Sequence, residues 1–230
     1  MASPAVIASS GPTQLALALD HAESLAREDF LAGPSNAAAL SLIERWPDWP
    51  SRTIVLRGPE GSGKSHLAAI WARASGARTL SPRALDGAEV PVALATGALV
   101  LENLADGRFD DAALFHLLNL AREERAFVLI TARSAPTTWR TVLPDLASRL
   151  RALPVVALTS PDDALFRAVL VKLFADRQLA VDEGLVSFLT TRIERSFAAA
   201  RAAVARLDRE ALRLQRPVTR ALAGELFREP

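Results

Sequence analysis

Apolar positions along the chain switch between two rhythms. Four short runs, "RTIVLRG" (52–58), "ALVLE" (98–102), "AFVLIT" (126–131) and "LPVVAL" (153–158), are nearly continuous and bounded by polar or turn-forming residues. Runs of this length and type predict buried strands. Between them the apolar residues recur at helical spacing. "AAALSLIERW" follows a Pro34-Ser35-Asn36 cap and ends near Pro47 and Pro50. "KSHLAAIWARA" (64–74) places Leu67, Ile70 and Trp71 on one side, "DDAALFHLLNLAREE" (110–124) follows, and "LPDLASRL" (143–150) is a shorter helical segment. Trp71 and Trp139 are expected in or near the core. Alternating strands and helices imply an α/β fold with a parallel sheet covered on both faces.

After "TSPDD" (159–163) the strand rhythm stops. Ser160 and Pro161 with the following acids predict a helix start, and helices are expected at about 162–177, 182–191, 196–214 and 219–228. The expected organisation is a tail over 1–27, an α/β base over 28–158 and a small all-helical lid over 159–230. "MASPAVIASSGPT" (1–13) has no periodicity and reads as a mobile tail. The arginines of the last helices, Arg206, Arg209, Arg213, Arg216 and Arg220, read as a solvated face.

Composition narrows the chemistry. Of 230 residues half are hydrophobic and 23% charged, ordinary for a globular protein. A net charge of +1 gives no electrostatic case for wrapping nucleic acid. There is no cysteine, which removes disulfides and thiolate metal sites, and the three histidines are scattered. No signal peptide or membrane span is read, so a cytoplasmic protein is expected.

One segment carries strong local chemistry. "GPEGSGKS" (58–65) fits G-x-x-x-x-G-K-[ST] between a predicted strand and a predicted helix. Gly61 and Gly63 let the backbone fold round phosphates, so that N–H groups of the loop and helix start point inward. Lys64 is placed to reach the β- and γ-phosphates, and the Ser65 hydroxyl to hold Mg²⁺.

Beyond this loop, "FLAGPSN" (30–36), "GPEGSGKSHLA" (58–68), "LFHLLN" (114–119) and "LPDLASRL" (143–150) stand in an order that resembles the DnaA-related branch of AAA+ proteins, over about residues 14–228. The resemblance implies an AAA+ P-loop base with a helical lid, binding ADP or ATP with Mg²⁺. Its cofactor site would comprise Gly61, Ser62, Gly63, Lys64, Ser65, His66, Glu102 and Thr131, with Ser65 and Glu102 on the metal, the latter through water. No DNA-reading module is expected after residue 228. The 20 residues from 78 to 97 leave little room for the insertion with which initiators grip single strands.

The chain departs from the family pattern at informative places. The strand end that would carry two acids carries Glu102 and Asn103, and Asn103 cannot act as a base towards water. An acid displaced by one position is the alternative. The lid helix has Ala198 where the family places a sensor arginine, with Arg195 and Arg201 a turn away on either side. Its own hydrolysis is therefore expected to be weak at most. Arg149 stands where AAA+ proteins place an arginine finger, which would serve a neighbour's nucleotide; such fingers contribute about 10³–10⁵ in rate. Otherwise it is a helix-end arginine complementing the dipole. "QLALAL" (14–19) resembles a sliding-clamp-binding motif, with Gln14, Leu15, Leu17 and Leu19 as its contacts, or else a first strand docking onto the base.

The resemblance thus implies a regulator of replication initiation. It would bind the sliding clamp (the DNA polymerase III beta subunit) and DnaA and stimulate DnaA's hydrolysis in trans. A homodimer stays open, and no strong direct nucleic-acid binding is expected. The alternatives are a short AAA+ loader handling a helicase or DNA, and a passive partner capping DnaA.

Overall fold

A computed structural model describes residues 25–104 and 109–227. The segment with Gln14, Leu15, Leu17 and Leu19 lies outside the described residues.

Five strands form one sheet in the order β2-β3-β4-β1-β5, every pairing parallel. They are β1 (Thr53–Arg57), β2 (Arg78–Leu80), β3 (Ala98–Leu104), β4 (Phe127–Ala132) and β5 (Val155–Ala157). Side chains alternate between the faces. Val55, Leu99, Leu101, Val128 and Ile130 pack against α3 (Val90–Leu94), α4 (Asp111–Glu123) and α5 (Pro144–Ala152), with Trp139 in the same cluster. Ile54, Leu56, Val100 and Leu129 face α1 (Ala37–Glu44) and α2 (Lys64–Ser75), with Trp71 buried there at 1% exposure.

Two elements were not visible in the hydrophobic pattern. Strand β2 is three residues long with exposed or half-buried side chains, and α3 has five residues. Both lie in the 78–97 connection. Strand β5 is also a correction: a buried strand over 153–158 was expected, but the paired part is Val155–Ala157 at the sheet edge, with Val155 exposed.

Beyond the sheet come four helices, α6 (Asp163–Asp176), α7 (Glu183–Arg192), α8 (Phe197–Leu214) and α9 (Arg220–Leu226), with their own core around Phe166, Phe174, Leu189, Val204 and Leu207. Each begins on a side-chain cap. Asp162, Asp182, Ser196 and Thr219 accept from Leu165, Leu185, Ala199 and Leu222 N–H. Asp162, not Ser160, is therefore the cap of α6. Asn36 also differs from expectation. Its Oδ1 accepts from Gly33 N–H and its Nδ2 donates to Leu31 O, so it pins the preceding loop instead of capping α1. In the C-terminal arginine run, Arg213 pairs with Glu210 and Arg216 with Glu225, while Arg206 lies over the Phe227 ring. No helix of the described residues is long and apolar enough to cross a membrane.

Candidate functional site

The loop from Gly58 to Gly63 runs from the end of β1 to the start of α2. Gly61 and Gly63 have φ of +68° and +95°, the left-handed region that side chains disfavour. These conformations bend the loop round the N-terminus of α2, where backbone N–H groups and the helix dipole favour an anion. Lys64 is only 6% exposed, and its Nζ donates to Gly58 O (2.9 Å) and Pro59 O (2.7 Å). Burial pushes the Lys64 ammonium below its ordinary pKa; the Arg133 guanidinium adds to this and the Glu60 carboxylate opposes it. Ser62 Oγ is buried in the loop with no hydrogen-bond partner among the described residues.

Gly61, Ser62, Gly63, Lys64, Ser65 and His66 line one cavity of about 680 Å³, together with Asn103, Arg133 and Ala198. Glu102 and Thr131 are not among its lining residues. The reason lies in strand β3. Its register with β4 shifts between Leu101 and Leu104, and Asn103 takes φ of 58°. The Asn103 N–H donates to Thr131 Oγ1 at 2.9 Å, and Thr131 itself is fully buried. Thr131 thus holds the bulge, and Asn103 is the side chain that the bulge brings to the cavity. This carboxamide brings no negative charge there.

Helix α8 closes the cavity from above. Phe197 N–H donates to Gly61 O at 2.8 Å. A Cβ on Gly61 would sit 2.9 Å from Ala198 N and Cβ, so the helical unit rests on the loop itself. Of the two arginines flanking Ala198, Arg201 lines the cavity, while Arg195 is turned to Asp163 in a 2.6 Å ion pair.

A second cavity of about 330 Å³ shares Leu25, Gly63, His66 and Arg201 with the first, so the two form one cleft. Its walls are largely apolar, with Phe30, Leu31, Val169 and Phe197. His66 Nε2 lies 2.9 Å from Ala26 O, and its ring packs edge-on against Phe30, which ties α2 to this wall. At the rim, Lys172 Nζ bridges Asp29 and Asp176, each at 2.7 Å. Burial works against the Lys172 charge, but hydrogen bonds to Asp176 and Asp29 outweigh it and raise its pKa. The cleft therefore joins an anion cradle to a largely apolar cavity, which suits a ligand that carries both phosphate and apolar groups.

Arg149 lies elsewhere. It is in the last turn of α5, its guanidinium over the Phe115 ring at 5.2 Å, beside Ser51 and Thr53 at the start of β1. The cradle is at the other end of that strand. Three contributors were not legible in the sequence. Arg133, which pairs with Glu60 at 2.5 Å, follows directly on β4, and Lys172 and Asp29 meet only across the fold. For Arg133 alone a signal existed: it directly follows a predicted strand of a parallel sheet, and ligands gather at such carboxyl ends.

No family model matches the sequence, and no curated protein does. Solved structures do match in shape. Domain III of the Thermotoga maritima replication initiation protein DnaA superposes with a TM-score of 0.71 at 17% identity, covering 90% of this chain and 98% of that one. The Thermotoga maritima RuvB Holliday junction branch migration motor gives 0.70 at 16% identity, over 88% and 70%. AMPPCP-bound DnaA from Aquifex aeolicus gives 0.63 at 17%, over 81% and 65%. The strand order, the all-parallel pairing and these likenesses agree: the chain has the mixed α/β fold of the AAA+ domains of DnaA and RuvB.

Proposed function

We propose that the chain is a Hda-like negative regulator of replication initiation, a cytoplasmic nucleotide-binding protein that acts on DnaA. ADP or ATP occupies the cleft, with phosphates in the 58–65 loop and the base in the apolar slot under the helical lid. The AMPPCP carried by a DnaA of the same fold supports this choice of ligand. Lys64 would turn from the loop carbonyls to the phosphates and the Ser65 hydroxyl would hold Mg²⁺; Glu102, which does not line the cavity, would reach the ion only through water. Bound there, the ion would supply charge neutralisation to the phosphates. Asn103 offers no base, so hydrolysis by the chain itself is weak.

The observation that carries the reading is the position of Arg149, at the opposite end of β1 from the chain's own cradle. A guanidinium there cannot serve the resident nucleotide. It can serve a nucleotide held by another chain, where its permanent charge and fork of donors suit a transferring phosphoryl group. Residues Gln14–Leu19 recruit the chain to the sliding clamp, and Arg149 stimulates hydrolysis on ATP-bound DnaA.

The test is phosphate release from ATP-bound DnaA with DNA-loaded clamp, comparing wild type, Arg149→Ala and a deletion of residues 14–19. Stimulation by wild type and its loss in both variants supports catalysis in trans. No stimulation by wild type removes the regulator reading, and stimulation that survives Arg149→Ala removes the finger.

A further inference from the structure

At the amino ends of the strands, a cavity of about 630 Å³ is lined by four arginines, Arg52, Arg122, Arg125 and Arg149, and by no acidic residue. They come from three places in the sequence. Arg52 precedes β1, Arg122 and Arg125 end and follow α4, and Arg149 ends α5. None of the four forms an ion pair among the described residues. Two are held in place by aromatic faces, Arg52 over Phe127 at 4.7 Å and Arg149 over Phe115 at 5.2 Å. Arg52 Nη1 also donates to Arg125 O at 2.6 Å, which ties the two segments together.

A helix end explains part of this. Arg122 and Arg149 complement the dipoles of α4 and α5. It does not explain Arg52, which precedes a strand, or Arg125, which stands past the helix with φ of 56°. Four like charges round one concavity repel one another, and the field they focus attracts a multivalent anion. Guanidinium forks match phosphate oxygens two at a time.

We infer that this cavity is a second phosphate-recognising site, separate from the nucleotide cleft, and that its ligand is a compact oligophosphate. It shares Arg149 with the regulator reading but stands on the arginine cavity alone. The oligophosphate has two sources, a free one in solution or the triphosphate of a nucleotide presented by a second chain. In the second case Arg52, Arg122 and Arg125 hold the phosphate chain that Arg149 approaches.

The probe is inorganic tripolyphosphate, titrated calorimetrically into the full chain carrying Lys64→Ala, so that the cradle does not contribute. Saturable one-to-one binding is expected, weakened by added salt, at least about tenfold weaker with Arg122→Gln and Arg125→Gln together, and unchanged by Arg209→Gln on the exposed side of α8. Absence of saturable binding, or binding indifferent to the glutamine pair, overturns the inference. So does tighter binding of a single-stranded oligonucleotide of equal charge, which would make the cavity a nucleic-acid contact. The glutamine pair is then tested in the DnaA phosphate-release assay. Loss there assigns the oligophosphate to the partner's nucleotide, and full stimulation assigns it to solution. Tripolyphosphate binding needs no second protein, so its failure and the failure of trans stimulation are read separately.

Discussion

Replacing Gly61 by alanine adds one methyl group where the loop and the helical lid touch, and two separable costs follow. The first is conformational. At φ of +68° an L-residue is less stable than glycine by about 1–2 kcal/mol. The second is steric. The new Cβ would lie 2.9 Å from Ala198 N and 3.0 Å from Ser196 Cβ, atoms fixed at the capped start of α8, so no flexible side-chain end can swing aside. Relief requires lifting α8 off the loop, which breaks the Phe197 N–H bond to Gly61 O; such a bond contributes about 0.5–1.5 kcal/mol. Together the loss of stability is roughly 1.5–3.5 kcal/mol.

Gly76→Ala isolates the first cost. Gly76 has φ of +69° as the C-cap of α2, and a Cβ there meets nothing within 4 Å. It is expected to lose about 1–2 kcal/mol. Equilibrium urea unfolding of both variants gives the difference, which is the strength of the lid–loop contact. Equal losses would refute the contact as a source of stability. The same displacement of the lid opens the slot, so nucleotide affinity is expected to fall in Gly61→Ala and to hold in Gly76→Ala.

Other perturbations test other parts. Gly224→Ala, in α9 with open space round its Cβ, is expected to stabilise the fold by about 0.5–1 kcal/mol in the same unfolding assay. Phe166→Ala removes a fully buried ring from the lid core and costs about 3–5 kcal/mol, read as a lower urea midpoint. Asn103→Asp puts a carboxylate at the cradle and is expected to raise the chain's own phosphate release at least about tenfold; an unchanged rate would mean that the missing acid is not what limits hydrolysis. Lys64 is less easily protonated folded than unfolded, so between its lowered pKa and the ordinary 10.5 the unfolded chain binds more protons. Stability relative to Lys64→Met is therefore expected to rise with pH across that window and to be flat below it, as followed by urea midpoints from neutral to alkaline pH.

The parts of this fold that were legible are those whose signal is local. Helices α6 to α9 start within a residue or two of where the turn residues put them, because each cap is an adjacent Asp, Ser or Thr. Strands β1, β3 and β4 are central, and burial on both faces makes them continuous apolar runs. Strand β2, at one sheet edge, has no apolar face to betray it, and the five residues of α3 are too few for a period to show. The cradle was legible because its residues are contiguous. The bulge that turns Asn103 to the cavity was not, since it depends on Thr131 from another strand, 28 positions away. The Asp29–Lys172 pair and the four-arginine cavity likewise exist only once distant segments meet.

Among the described residues, contacts on either side of the apolar slot tie the lid to the base. Phe197 N–H meets Gly61 O beside the cradle, and Lys172 meets Asp29 at the far rim. Lys64 meanwhile spends its donors on the loop's own carbonyls. On the proposed reading a nucleotide entering this cleft draws Lys64 away from Gly58 and Pro59, so binding would exchange those internal partners for phosphate. Asn103 brings no carboxylate to the cleft, and Arg149 lies at the other end of the sheet. On the proposed reading the resident nucleotide sets the lid, and the arginine end does its chemistry on a nucleotide that belongs to another chain.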